Sequence, residues 1–365
     1  MNIPDTMHAC VLTGHGGLDR LVHHDDWPTP MPGDDEVLIK VAACGMNNTD
    51  VNTRSGWYSK AVSEATTGEA YDTVGEEDPT WGGAPIVFPR IQGADVCGYV
   101  VAVGANADKA LMGKRVITDG WLRNWDEPMN MESTGYFGSE CNGGYAQYTK
   151  TDHRNVGVVN SELSDAELAT FSCSYTTAEG MLSRANVTSE DTVLITGASG
   201  GVGSALIQLA KRRGATVIGL ASEPKHETLK AMGADYLLPR KPDNIHAALK
   251  KAIGKEYVSV LADIVGGDAF PTLLEAVERG GRYTCSGAIA GPIVELDLRT
   301  FYLRDLTLTG STVIPPHIFK DVISYIEKGE VRPMLAASYP LKDFHAAQQA
   351  FIEKKHSGNI VVTMS

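Results

Sequence analysis

The sequence predicts an α/β protein: a doubly wound parallel sheet in the second half, preceded by a β-rich first part. Three observations predict it. From Thr192 onward, short apolar, β-branched runs alternate with segments of helical spacing. The first such unit carries a glycine turn between strand and helix, TVLITGASGGVGS over residues 192–204. Gly214, Gly233, Gly254 and Gly280 fall at or just past the ends of helical segments, where a left-handed residue closes a helix. Repeated β–α alternation of this kind builds a parallel sheet.

Taken in order, HACVLTG is a candidate strand, and Pro28, Pro30, Pro32 and Gly33 break the chain after it. Glu36–Ala43 is a strong strand signal. Gly45–Arg54, rich in Asn and Thr, reads as turn. Residues 57–90 form a long acidic loop with Trp57, Tyr58, Tyr71 and Trp81, either a substrate lid or a surface loop covering its own aromatics. Gly98–Gly104 and Lys114–Thr118 are strands. Residues 120–143 make a second long loop, with Trp121, Trp125, Tyr136 and Phe137, and Gly143–Tyr148 returns to β. This first part reads as a twisted, antiparallel, barrel-like domain.

Ser164 and Glu167 form a capping box opening a helix through Ala169 and Phe171, and a second helix covers Thr177–Arg184. The alternating strands are Thr192–Gly197, Thr216–Ala221, Ala234–Leu238, Val258–Val265, Gly281–Gly287 and Leu306–Ser311. The helices between them are Val202–Arg213, Lys225–Met232, Ile245–Ile253 and Ala269–Glu278. Ile318–Lys328 and Asp343–Lys354 follow as helices, and Gly358–Thr363 as the last strand.

Strand, glycine turn and helix together place free backbone N–H groups where a pyrophosphate can sit, and side chains there would block it. The spacing is Gly197-x-x-Gly200-Gly201-x-Gly203, a departure from G-x-G-x-x-G. Gly197 and Gly200 permit the turn, and Gly203 lets the helix lie against the strand. Ser199, Gly201 and Val202 complete the candidate cofactor cradle. An ordinary strand–turn–helix is the alternative, and the βα units that follow favour the dinucleotide.

A chain of 365 residues is long enough for about two domains. Its net charge of −13 argues against nucleic acid or an anionic membrane as partner. No apolar run is long enough to span a bilayer, and no basic-then-apolar leader opens the sequence. Six cysteines without close pairing read as free thiols in a reducing compartment. A cytoplasmic protein with a small-molecule substrate is the expectation.

The segments GDDEVLIKVAACGMNNTD, IQGADVCGYVVAVG, GGYAQY, GASGGVG, KAMGAD and GNIVV together resemble the medium-chain dehydrogenase/reductase superfamily over nearly the whole chain. The resemblance implies a GroES-like β-barrel catalytic domain from residues 1–157 and 315–365, and a Rossmann cofactor domain from 158–314. The active site would lie in the cleft between them. It also implies a homodimer through the edge strand near Arg304–Gly310.

The zinc-dependent alcohol dehydrogenases of that superfamily hold a catalytic metal with Cys, His and Cys. The matching positions here are Asn47, Ala94 and Cys173. One thiolate does not hold a catalytic zinc. A rearranged set from Asp95, Cys97 or Cys44 is the alternative, and Cys141 alone cannot build the structural zinc lobe. Asn47 instead resembles the asparagine of the zinc-free quinone oxidoreductase and enoyl reductase branch. Asn52 departs from that branch, which often carries an aromatic residue there.

The second strand of the alternating part ends at Ala221, where an acid would bind the ribose of NAD. Ser222, Lys225 and Arg240 follow, with Lys241 beside them, and favour NADPH. Glu223 is the candidate for the opposite choice. Asn47 and Thr49 are the candidate catalytic residues: an amide donor for a developing oxyanion, and a hydroxyl whose role in proton relay is implied by the resemblance to the zinc branch. Their alternative role is turn formation. Cys173 is a candidate redox thiol or a small buried residue. Three functions stay open: reduction of quinones or activated double bonds, an atypical alcohol dehydrogenase, and a non-catalytic NADPH-binding protein.

Overall fold

The computed structural model describes residues 3–75, 77–78 and 80–364. β1 (Thr6–Leu12) and β2 (Leu21–Pro28) pair as an antiparallel hairpin, and β3 (Glu36–Gly45) leads into α1 (Asn48–Ser55). After the first long loop come β4 (Arg90–Ile91), β5 (Asp95–Val103) and β6 (Arg115–Thr118). The second loop carries the short pair β7 (Trp121–Leu122) and β8 (Gly135–Tyr136), with a 3-10 turn at Met131–Ser133 between them, before β9 (Tyr148–Asp152) and β10 (Val156–Val158). α2 (Asp165–Leu168) and α3 (Ser172–Arg184) bridge to the second half.

The second half runs β11 (Thr192–Ile195), α4 (Gly201–Arg212), β12 (Thr216–Ala221), α5 (His226–Ala231), β13 (Tyr236–Pro239) and α6 (Ile245–Ile253). It continues through β14 (Val258–Asp263), α7 (Phe270–Glu275), β15 (Val277–Cys285), α8 (Leu298–Leu303) and β16 (Thr307–Gly310). Its six strands lie in the order β13-β12-β11-β14-β15-β16, every pairing parallel. That is the doubly wound order, with the reversal between β11 and β14, and ligands bind at such a reversal. Val193, Leu194 and Ile195 are fully buried because helices cover both faces of the central strand.

After α9 (Pro316–Glu327) the chain returns to the first part through β17 (Leu335–Pro340), α10 (Phe344–Ile352) and β18 (Asn359–Thr363). β18 pairs antiparallel with β3, placing Val361 opposite Gly45, and a further bridge joins Gly200 to Gly358. The tail therefore lies against both the barrel strand that leads to Asn47 and the glycine turn. Among the described residues no helix is long and apolar enough to cross a membrane.

Several elements differ from the sequence expectation. Gly45–Arg54 holds a helix rather than a turn: Asn47 caps it in an extended conformation, and Gly56 closes it at φ +78°. Asn, Asp and Thr suit a helix start as well as a turn, so composition did not separate the two. The capping box of Ser164 and Glu167 opens a single turn. α3 then starts at Ser172, ahead of Thr177, because Asp95 Oδ1 accepts the Cys173 N–H (2.8 Å) that would otherwise be orphaned. The return after residue 143 pairs regularly only from Tyr148, and β15 begins at Val277, which shortens the helix before it. β17 and α8 are additional elements.

Candidate active site

A cavity of about 460 Å³ opens at the sheet reversal, between the α1 N-terminus, the α3 N-terminus, the glycine turn and the tail. A wider, shallower groove of about 950 Å³ near Arg115 and Glu327 shares no residue with it.

On the barrel side, Asn47 ties two buried carboxylates together. Its backbone N–H donates to Asp50 Oδ2 (2.8 Å) and its Nδ2 donates to Asp95 Oδ2 (3.0 Å). The Tyr145 hydroxyl also donates to Asp50 (2.8 Å). Burial pushes Asp95 up to about 7 and Asp50 up to about 6, against the hydrogen bonds that favour their charged forms. Burial and the Asp95 charge hold the Cys173 thiol far above its ordinary value, which disfavours the thiolate a redox nucleophile needs. Thr49, in the first turn of α1, accepts the Tyr58 hydroxyl at 3.2 Å. Asn47 and Thr49 both line the cavity.

The two long loops meet here. Trp81 from the first packs on Trp121 and Tyr136 from the second, with ring centroids 4.7 and 5.5 Å away, and the three form an aromatic wall. The Tyr136 hydroxyl is buried with no hydrogen-bond partner among the described residues. Neither contact was legible in sequence, since nothing in a loop's composition says which other loop it meets.

The donor set does not fit a catalytic zinc. Ala94 is buried and offers no ligand atom, the Asn47 amide is committed to Asp95, and Cys173 stands alone. The alternative set is not assembled either. Cys97 turns to Asp165 (3.7 Å), Cys44 to its neighbour's carbonyl (3.8 Å), and both Asp95 oxygens have partners. Among the described residues, the only three His, Cys, Asp or Glu ligand atoms grouped closely enough for one ion belong to His8, His23 and Asp25, exposed on the β1–β2 hairpin.

On the cofactor side, Gly197 turns at φ +57°, and Gly200 caps α4 without a side chain. A Cβ on Gly203 would stand 2.2 Å from the Gly197 carbonyl oxygen, so only glycine lets α4 approach the strand. Gly201 answers to the rest of the cleft: a Cβ there would meet Ser174 Oγ at 2.5 Å and Asn359 Nδ2 at 2.7 Å. Val202 lines the cavity. The Ser199 carbonyl accepts the Gly358 N–H (2.8 Å).

Ser222 is exposed and makes no capping bond with its side chain. Lys225 Nζ donates to the His356 carbonyl (2.5 Å) and lies 3.4 Å from Ser199 Oγ. Burial and the nearby Arg240 charge lower the Lys225 pKa. Arg240, Lys241 and Glu223 are exposed, so Glu223 does not turn inward. The tail adds what the sequence did not announce. Lys354 Nζ reaches Asn48 Oδ1 (2.8 Å) over the Phe351 ring, where burial pushes it down to about 7.

The family described as "Alcohol dehydrogenase GroES-like domain" matches residues 33–161, and "Zinc-binding dehydrogenase" matches 201–328. A solved structure of a putative alcohol dehydrogenase from Sinorhizobium meliloti 1021 is 44% identical, with a TM-score of 0.89, over 99% of this chain and 97% of that one. The quinone oxidoreductase of Homo sapiens is 26% identical over 95% of this chain and 94% of its own. The NAD-dependent alcohol dehydrogenase of Sulfolobus acidocaldarius is 26% identical over 98% of this chain and 100% of its own. With its parallel sheet, glycine turn and cleft, the chain belongs to the medium-chain dehydrogenase/reductase superfamily, in its quinone oxidoreductase-like branch, and is an NAD(P)-dependent oxidoreductase.

Proposed function

We propose that this enzyme uses NADPH, without a metal, to reduce a quinone or the activated double bond of an α,β-unsaturated carbonyl compound. The observation that carries the reading is the exchange of metal ligands for hydrogen-bonding groups. Where three ligands would be needed stand a buried Ala94, the tethered Asn47 and a protonated Cys173, and Asn47, Cys173, Thr49 and Tyr58 line the cavity. The quinone oxidoreductase relatives support the same chemistry.

Hydride addition to a saturated carbonyl concentrates charge on one alkoxide oxygen and calls for a strong electrophile. Conjugate addition leaves an enolate, whose delocalised charge neutral hydrogen-bond donors can hold. The bound nicotinamide supplies the hydride. Asn47 presents an amide that Asp95 orients, and Thr49 presents a hydroxyl for the proton. For the cofactor, the end of β12 at Ala221 has no acid to repel a 2′-phosphate, and Ser222, Lys225 and Arg240 supply a hydroxyl and two cations. The edge position of β16, with exposed Leu298, Tyr302 and Leu303 on α8, supports a homodimer, testable by light scattering.

A second reading, reduction of saturated carbonyls, draws on the Sinorhizobium relative that is described as a putative alcohol dehydrogenase. One experiment separates them: NADPH consumption with a 2-alkenal and with the saturated aldehyde of equal length, chelator present. Turnover of the alkenal alone is expected. Turnover of the saturated aldehyde would overturn conjugate reduction.

A further inference from the structure

We propose that His8, His23 and Asp25 form a zinc site on the β1–β2 hairpin, outside the cleft and independent of the reading above. His8 Nδ1 lies 3.3 Å from Asp25 Oδ1 and 3.4 Å from His23 Nε2, and His23 Nε2 lies 3.0 Å from that same oxygen. A tetrahedral zinc holds nitrogen and oxygen at about 2.0–2.2 Å, which spaces its ligand atoms about 3.3–3.6 Å apart. The three observed separations are close to the edges of one face of that tetrahedron. All three residues are exposed, so water can take the fourth corner.

The hairpin itself builds the trio. Residues two apart on a strand share a face, so His23 and Asp25 stand together on β2. Cys10 pairs with His23, and His8, two residues earlier, shares its face of β1. The register slips beside it: Ala9 pairs with His24 and Met7 with Trp27, so His8 alone faces Asp25 and Asp26. A bulge of this kind re-aims side chains. The two imidazole rings are tilted by 47° with centroids 5.6 Å apart, so they converge rather than stack.

Hydrogen bonds alone do not close this triangle. A neutral ring nitrogen either carries a proton or offers a lone pair. If both rings donate to Asp25, two N–H groups face each other across 3.4 Å. If His8 donates to His23, the His23 edge to the carboxylate is lost. One cation between the three atoms satisfies every edge. Two imidazoles and one carboxylate suit zinc, whereas magnesium and calcium take oxygen ligands. Exposed polar residues also protect an edge strand from pairing, and β2 is the edge of its three-stranded sheet. That role asks for polarity, not for three ligand atoms turned to one point. A bound ion would tie β2 to β1, the strand whose Cys10 N–H donates to the Tyr145 carbonyl (2.8 Å), and so stiffen the barrel edge.

The test is calorimetric titration of zinc chloride into the full-length protein, first stripped with chelator and dialysed. Wild type is compared with His8→Ala, His23→Ala, Asp25→Asn and, as control, His24→Ala. Expected is one zinc per chain, bound at least about 10-fold more weakly in each of the first three variants and within about threefold of wild type in the control. Zinc should raise the melting temperature of wild type and leave that of His8→Ala unmoved. Cobalt(II) in place of zinc should give the strong visible absorption of a tetrahedral site. Asp25→Asn, which keeps the shape of the side chain, carries the same expectation should a histidine variant fail to fold. Wild type without saturable zinc binding, a His8→Ala protein that binds as wild type does, or equal binding of magnesium would overturn the site. None of the three residues lines the cavity, so alkenal turnover with chelator present tests the reduction chemistry separately.

Discussion

Lys225→Ala should weaken NADPH and spare NADH. Lys225 Nζ lies within reach of Ser199 Oγ and the His356 carbonyl, and among the described residues no carboxylate pairs with it. A 2′-phosphate placed there would gain one charge-assisted hydrogen bond, worth about 1.5–3 kcal/mol. The site is partly solvated, so the lower part of that range applies, about 1.5–2 kcal/mol. That is roughly a 10- to 30-fold rise in KM for NADPH. The assay is initial rate against each cofactor with saturating acceptor, at low salt and again at high salt. The NADPH effect should shrink with salt, and KM for NADH should stay within about threefold. Equal rises in both KM values would refute the reasoning, because they would mean that Lys225 only anchors the tail carbonyls.

Three further outcomes follow from the geometry. Gly203→Ala puts a methyl 2.2 Å from the Gly197 carbonyl oxygen and 2.7 Å from Ala198 Cα, backbone that cannot step aside. It should cost about 1–3 kcal/mol in urea unfolding and weaken cofactor binding, read by fluorescence titration; unchanged binding would dismiss the close approach. Asp95 and Asp50 hold protons in the folded state that the unfolded chain releases near 3.8, so the stability they contribute is full below about pH 4 and is lost as pH rises through 6 to 7. Asp95→Asn should flatten that part of the melting-temperature profile, and an unaltered slope would contradict it. Arg54, fully buried, donates to Gln348 Oε1 and to the Gly16 and Gly68 carbonyls (2.6, 2.5 and 2.8 Å). Arg54→Met leaves three acceptors unpaired and should cost roughly 3–5 kcal/mol; a loss below about 1 kcal/mol in chemical unfolding would refute that account.

Much of the second half was legible because its signals are local. The run Thr192–Ile195, the turn at Gly197 and the helix beyond it lie within a few residues, and period and glycine placement name each one. Gly214, Gly233 and Gly254 take positive φ just past helix ends, as expected, whereas Gly280, also at positive φ, lies within β15 rather than at a helix end. The active-site half was less legible because its signals are distant. Asn47 could be picked out by type, but its partner Asp95 lies on another strand and Cys173 beyond both. Asn, Thr and Asp serve caps and turns alike, which hid α1. Tyr58 and Tyr136 stood in segments without period, and only the meeting of the two loops gives them a place in the cleft.

The pairing of β18 with β3 sets a timetable as well as a shape. The strand leading to Asn47 completes its sheet only when Val361–Thr363 arrive, and the glycine turn gains Gly358 at the same moment. During synthesis both halves of the cleft wait for Asn359–Thr363, a strand made long after β3 and β11. A nascent chain can gather its parallel sheet early, yet the pocket stays unfinished until that strand arrives. A chain cut before Gly358 would therefore keep most of its mass and have no finished place to work.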